Sequence, residues 1–310
     1  MPAARGVILF AVGAVALTAL TRDRRAPTPT PSPIDEVDHG ALAAFRDHYG
    51  DPPLAAIAVV IAAYNEAEGL RRVLATMPAT VCGLTADVIV VDDGSSDGTS
   101  DVVRDSGDAY AVTCAANRGQ GAALRLGYRI ARGHGARYII TTDADGQYDT
   151  TDFPLVLSPV LDGSADFVTG SRRLGRHQSD DQFRRAGVYV FAWVVSALIG
   201  KRLTDTSFGL RAMRAELTAD VTLDQPQYQS AELLIGAYAH GYRIAEVPGT
   251  MRARAAGTSK KGGNVVYALR YARVVIRTWW RDIGLDPMGR RAPARREDLD
   301  ATQTPRSAEP

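Results

Sequence analysis

Between residues 54 and 142, continuous apolar runs alternate with segments of helical spacing, and this alternation restricts the fold more than any other feature. Residues 56–62 are apolar throughout, as expected of a strand covered on both faces. The following stretch, 67–77, places Leu70, Val73, Leu74 and Met77 at helical spacing. The unit then repeats, with strands expected at 88–91, 110–113 and 138–142 and helices at 97–105 and 121–131. Such an order implies an α/β fold, a mostly parallel central sheet with helices on both faces. Ligands of such sheets bind beyond the carboxyl ends of the strands. Further on, strands are expected at 167–170 and 242–247, and helices at 188–199 and 230–240.

A net charge of +1 leaves no global basic surface for nucleic acid. Cys82 and Cys114 both sit among apolar neighbours and read as buried free thiols, in keeping with a reducing compartment. Residues 6–20 form an apolar run, short against the roughly 20 residues of a membrane span. Arg22, Arg24 and Arg25 follow it and would hold the rest of the chain on the cytoplasmic side. Residues 1–25 are thus expected to be a short membrane anchor or a marginal N-terminal segment; a signal-peptide core is disfavoured by the weak upstream charge. Residues 26–53 read as a Pro-rich linker, 54–263 as the folded domain and 285–310 as a disordered tail.

The chemistry-bearing residues cluster at the expected strand ends. Asp143-Ala144-Asp145-Gly146-Gln147 follows the fourth strand. Two carboxylates this close repel unless a cation sits between them. Oxygen ligands suit Mg²⁺ or Mn²⁺, which keeps substrate phosphate and water in its shell. Asp92-Asp93 ends the second strand, where a carboxylate can accept from a base edge or ribose, although a capped turn reads the same way. Tyr64-Asn65-Glu66 ends the first strand and suits a nucleotide pocket wall, although an early acid also favours any helix start. Asn117-Arg118-Gly119-Gln120-Gly121 opens a helix whose amides, with Arg118, suit a phosphate. The spacing is not that of the dinucleotide fingerprint.

Together these segments resemble the family 2 glycosyltransferases of the GT-A nucleotide-sugar-binding fold, in particular the dolichyl-phosphate mannose synthase-like branch. The resemblance runs from about residue 56 to residue 264. It implies nucleotide-sugar contacts from Tyr64, Glu66, Asp92, Asp93, Arg118 and Ala144, and metal ligation by Asp143, Asp145 and Gln147. It implies phosphate contacts from Arg172, in Gly170-Ser171-Arg172, and a recurrent basic position at Arg211. Glu232 matches the acid on the acceptor side, and Arg254 and Lys260 match a loop that closes over the diphosphate. Asp145, Arg172, Arg211 and Glu232 form the implied catalytic set. Two positions depart from the pattern. Ala62 stands where a proline is usual, and Gln120 where a lysine is common.

Residues 264–284 read as an amphipathic helix. Val265, Leu269, Ala272, Ile276 and Trp280 recur at helical spacing beside Arg270, Arg273, Arg277 and Arg281. With Trp279 and Trp280 at one end, the helix suits a membrane interface. The expected function is metal-dependent, inverting transfer of a hexose from UDP-glucose or GDP-mannose to polyprenyl phosphate at the cytoplasmic face of the cell membrane. The alternative is a hydroxyl acceptor in cell-wall or polysaccharide assembly, for which Glu232 is the expected base. A nucleotidyltransferase or a non-catalytic sugar-nucleotide module ranks lower.

Overall fold

The computed structural model describes residues 32–177, 182–252 and 264–284. The apolar segment 1–25, the tail 285–310, Arg254 and Lys260 lie outside these residues. In chain order the elements are α1 (Glu36–Tyr49), β1 (Ile57–Ala63), α2 (Ala67–Leu74), β2 (Thr80–Val81), β3 (Leu84–Asp92), α3 (Thr99–Ser106), β4 (Ala109–Thr113), α4 (Gln120–Gly133) and β5 (Tyr138–Asp143). There follow α5 (Phe153–Leu161), β6 (Phe167–His177), α6 (Gln182–Ile199), β7 (Arg211–Arg214), α7 (Leu217–Asp220), α8 (Gln229–Ala239), β8 (Ile244–Met251) and α9 (Asn264–Trp279), which ends in a π turn.

Helix α1 corrects the reading of 26–53 as linker throughout. Asp35 caps it and makes a reciprocal capping box with Asp38. Ala41 and Phe45, one turn apart, are buried, and the Tyr49 hydroxyl accepts the Ala111 N–H at 3.0 Å. The apolar face is narrow, so the surrounding polar residues mask it in the sequence.

The sheet is mixed. Its order is β2-β3-β1-β5-β7-β6-β8, with β4 also paired to β3. β4, β3, β1 and β5 run parallel, as do β6 and β8. β7 is antiparallel to both β5 and β6. Two antiparallel pairings restore the direction, so β6 and β8 run with β1, β3, β4 and β5, and only β7 and the two-residue β2 are reversed: the sheet is mostly parallel but mixed. β7 follows α6 and the loop 200–210, and it inserts between β5 and β6 in the opposite sense to both.

Alternate residues of β1 feed the two cores. Ile57, Val59 and Ile61 join α2 and α5 on one face, whereas Ala58 and Val60 join α4, α6 and α8 on the other. Of the cysteines, Cys114 is buried and burial pushes its thiol up to about 11, but Cys82 is exposed in the β2–β3 turn. No helix among the described residues is long and apolar enough to cross a membrane.

Candidate active site

β1, β3 and β5 end side by side, which gathers their terminal turns into one crevice. After β1, Tyr64 is exposed and Asn65 adopts a left-handed φ of 50°. The Asn65 N–H donates to Ser95 Oγ at 2.8 Å, and the Ser96 N–H donates to Asn65 Oδ1 at 2.8 Å. These bonds join the first two turns. Glu66 starts α2, its N–H donating to Thr99 Oγ1 at 3.1 Å. At Gly69 a Cβ would stand 2.7 Å from the Ala144 carbonyl oxygen, so the first turn of α2 is pressed against the Ala144–Asp145 backbone.

The Asp92-Asp93 pair faces inward. Asp92 Oδ1 accepts the Ser95 N–H at 2.9 Å, and its other oxygen takes the Ser100 hydroxyl. Asp93 Oδ2 accepts the N–H groups of Arg118 at 3.0 Å and Gly119 at 2.6 Å. Burial pushes the Asp93 carboxyl up, and those amides oppose the shift. The amides read as a phosphate cradle are thereby engaged within the fold, and the Gly121 N–H donates to the Pro226 carbonyl at 2.8 Å. Arg118 is a correction too. Its guanidinium bonds Asp35 at 2.7 Å and Asp38 at 2.8 Å, drawn to the two acids that start α1.

Asp143 ends β5, and its Oδ1 accepts the Gln120 side-chain amide at 3.0 Å. Gln120 thus serves the acid directly where a lysine had been the expected residue. Across the crevice, a Cβ on Gly209 would stand 2.7 Å from the buried Tyr148 ring and 2.9 Å from Asp143 Oδ2, so any side chain there would displace one or both. Asp145 is 6 % exposed, and its Oδ1 accepts the Gln147 N–H at 3.1 Å in a tight turn. The Gln147 amide nitrogen donates to the Arg252 carbonyl at 3.3 Å, which leaves Oε1 as its ligand atom. Asp143, Asp145 and Gln147 supply oxygen alone, the donor set of a hard divalent cation. Among the described residues no cluster of three or more His, Cys, Asp or Glu gathers as an all-protein cage. Two carboxylates suit an ion that completes its shell with substrate oxygens and water.

A small recess lies beside Asp143, lined among others by Gln120, Thr141, Arg211, Gln229 and Ser230. Arg211 is 3 % exposed and bonds Ser230 Oγ and the Phe208 carbonyl. Gln229 is buried beside it, and neither of its amide atoms has a hydrogen-bond partner of good geometry in the fold. Sequence reading missed Gln229; its position just before Ser230-Ala231-Glu232 was the available signal.

Arg172 and Glu232 do not line this recess. The Arg172 Nε donates to the fully buried Asp205 at 2.5 Å, and its Nη2 donates to Ser207 Oγ at 3.0 Å. Glu232 is wholly buried. It accepts the N–H groups of Asp224 at 3.0 Å and Gln225 at 3.1 Å, and pairs with Arg281 at 3.0 Å. Burial pushes its carboxyl up to about 7, with the two amides and Arg281 acting the other way. A carboxylate enclosed in this way braces the loop before α8, and its expected role as an acceptor base is corrected.

An α/β sheet with acids gathered past its strand ends, two of them spaced for a cation, is the architecture of a nucleotide-sugar enzyme. Residues 58–220 match the Glycosyl transferase family 2, and the chain belongs to that family. It is 35% identical over 202 residues to the dolichyl-phosphate hexose transferase of Haloferax volcanii, covering 65% of this chain and 85% of that one. It is 30% identical over 220 residues to the undecaprenyl-phosphate mannosyltransferase of Micrococcus luteus, covering 68% and 89%. Among solved structures it resembles the glucosyl-3-phosphoglycerate synthase of Mycobacterium tuberculosis in complex with Mn²⁺ and UDP-glucose. There the TM-score is 0.55 at 21% identity, over 86% of this chain and 90% of that one. The protein is a glycosyltransferase of GT-A fold, related to polyprenyl- and dolichyl-phosphate sugar transferases.

Proposed function

We propose that this glycosyltransferase is metal-dependent and inverting, and that it takes a hexose from UDP-glucose or GDP-mannose. The observation that carries the reading is the all-oxygen turn Asp143–Gln147, whose Asp143 lines one recess with the buried Arg211. A bound Mg²⁺ or Mn²⁺ would neutralise the diphosphate and improve it as a leaving group. Tyr64, exposed in the turn after β1, would lie against the base, with Glu66 two residues on at the start of α2. Ala144 presses this helix start against the metal turn, which fixes base and diphosphate subsites relative to each other. Arg211 supplies fixed positive charge where the acceptor or the departing diphosphate is anionic. Arg254 and Lys260 are proposed to add charge from the segment outside the described residues.

Two acceptor classes are supported by different observations. The names of the two curated relatives support a lipid phosphate, which is already anionic and needs no strong base. An exposed apolar face supports the same reading. Phe191 of α6 packs on Tyr271 of α9 at 4.4 Å, and Trp279 Nε1 donates to the Leu198 carbonyl, so the two helices lie side by side. Outward they present Val190 and Trp193 on α6, and Leu269, Ile276 and Trp280 on α9. Arg270, Arg273 and Arg277 are exposed beside them, which suits an anionic lipid surface at the cytoplasmic face of the membrane. Of the expected tryptophan pair only Trp280 faces outward, since Trp279 is buried. The hydroxyl-acceptor reading is supported by the solved neighbours, whose acceptor is phosphoglyceric acid. A hydroxyl needs a base, and Glu232, enclosed and bonded to the Asp224 and Gln225 amides, is not placed in the recess to serve as one.

The test is transfer of labelled hexose from each donor, with and without Mn²⁺, to polyprenyl phosphate in vesicles and to soluble hydroxyl acceptors. Metal-dependent transfer to any of these supports the reaction class, and the labelled product names the acceptor. Absence of transfer together with absence of Mn²⁺-dependent stabilisation by UDP or GDP would reject it.

A further inference from the structure

Helix α4 carries Arg125, Arg129 and Arg132 at spacings of four and three residues, hence on one face. They line a cleft of about 200 Å³ together with Ser32, Tyr128, Thr218, Ala219 and Leu223. A water needs roughly 10–15 Å³ by the same measure, so the cleft has room for a polyatomic ion. No carboxylate lines it among the described residues. Arg125 is 8 % exposed and donates to the Leu223 carbonyl at 3.2 Å, yet its Nε is buried without a partner. Arg129 donates to the Ser32 carbonyl at 3.0 Å and Arg132 to Thr218 Oγ1 at 2.8 Å, both neutral acceptors.

The carboxylates near this cluster stand to one side of the cleft and are largely engaged elsewhere. Asp38 lies 3.8 Å from Arg125 and also acts on Arg129, and Asp35 attracts Arg125 from farther off, but both acids hold Arg118, at 2.8 Å and 2.7 Å. Asp220 adds a more distant attraction at Arg132. Residues 1–31, which lead into Ser32, contain four arginines and one aspartate, so they do not supply the balance. Burial lowers the pKa of both Arg129 and Arg132, and the neighbouring guanidiniums add to the effect. Three guanidiniums converging on a cleft match the oxygens of a phosphoryl group, with several N–H donors in fixed forks. The cleft is separate from the strand-end crevice. Arg129 lies nine residues past the start of α4, about 13 Å along its axis.

We propose that this cleft is a second anion site, which takes a phosphate or diphosphate group in addition to the one at Asp143 and Asp145. The proposal does not depend on the catalytic reading. The experiment is a melting titration of the full chain with inorganic phosphate and with diphosphate, against chloride at equal ionic strength. At ten times the dissociation constant the melting temperature rises by about 3 °C. The Arg129→Gln, Arg132→Gln double variant loses this rise, and Asp145→Asn keeps it. Should the glutamine variant not fold by circular dichroism, the Arg129→Lys, Arg132→Lys pair and the single Arg132→Gln variant replace it. The lysine pair retains the response and the single variant weakens it at least threefold.

A second arm uses phosphatidylglycerol vesicles, with phosphatidylcholine as control. If the glutamine variant loses phosphate binding alone, the ligand is soluble; if it also loses phosphatidylglycerol binding, a lipid headgroup is one source. Both results uphold the site. A phosphate response equal to chloride in the wild type, or undiminished in a folded glutamine variant, overturns it.

Discussion

Asp92-Asp93 and Asp143-Ala144-Asp145 look alike in the sequence, each an acidic pair closing a buried parallel strand, yet the fold uses them differently. Asp92 and Asp143 close their strands, whereas Asp93 and Asp145 lie in the turns beyond, where local bonding sets each direction. Asp92 accordingly turns to Ser95 and Ser100, and Asp93 turns to the amides that open α4. Asp143 and Asp145 share one turn, against α2 on one side and Gly209 on the other. Acids at a strand end thus divide into those that hold the crevice in shape, as Asp92 and Asp93 do, and those proposed to bind a cation. Glu232 belongs with the first group, although its place in the sequence suggested an acceptor-side role.

The contrast has measurable consequences. Asp145→Ala is expected to reduce kcat/KM on the order of a thousandfold, since several kcal/mol of metal-assisted charge stabilisation is lost. Its melting temperature should move little by comparison. Asp93→Ala reverses the pattern. Losing a buried carboxylate that accepts two amides should cost about 3 kcal/mol in urea unfolding, with turnover per folded molecule within a few-fold of wild type. If Asp93→Ala were as stable as wild type and as inactive as Asp145→Ala, the division would fail.

Glu232→Gln sharpens the comparison through pH. The Glu232 carboxyl is raised in the fold to about 7 from 4.5, so its contribution is full below 4.5 and lost as pH rises through 7. The stability of wild type relative to Glu232→Gln should therefore fall across that window, by about 3 kcal/mol at most, and stay level above it. Turnover should change only a few-fold, where a catalytic base would lose far more. The smallest effect is expected at Asp92→Asn, about 1 kcal/mol, because asparagine keeps one acceptor for Ser95.

The first half of the fold is legible because its strands are covered on both faces and declare themselves as unbroken apolar runs. β1, β4 and β5 fall within a residue of their expected ends. β7 was not legible. It has four residues, begins and ends with arginine, and owes its place to pairing between β5 and β6 rather than to any pattern of its own. Helix α1 was hidden for a related reason, since two buried positions, Ala41 and Phe45, anchor it inside a polar stretch. At the site, residue type and spacing single out the Asp143–Gln147 turn as the candidate cation site. The fates of Arg118, Arg172 and Glu232 were not, because Asp38, Asp205 and the Asp224-Gln225 backbone reach them from remote parts of the chain. Long-range partners leave no local trace at the residues they capture.

The reversal of β7 bears on how such an enzyme can diversify. β1, β3 and β5 deliver their site residues at or just beyond their carboxyl ends, whereas Gly209 and Arg211 stand at the amino end of β7, Arg211 as its first residue. One rim of the crevice is therefore encoded upstream of its support and the opposite rim downstream. Lengthening residues 204–209 would remodel the Gly209 rim while leaving the Asp143–Gln147 turn on its own strand.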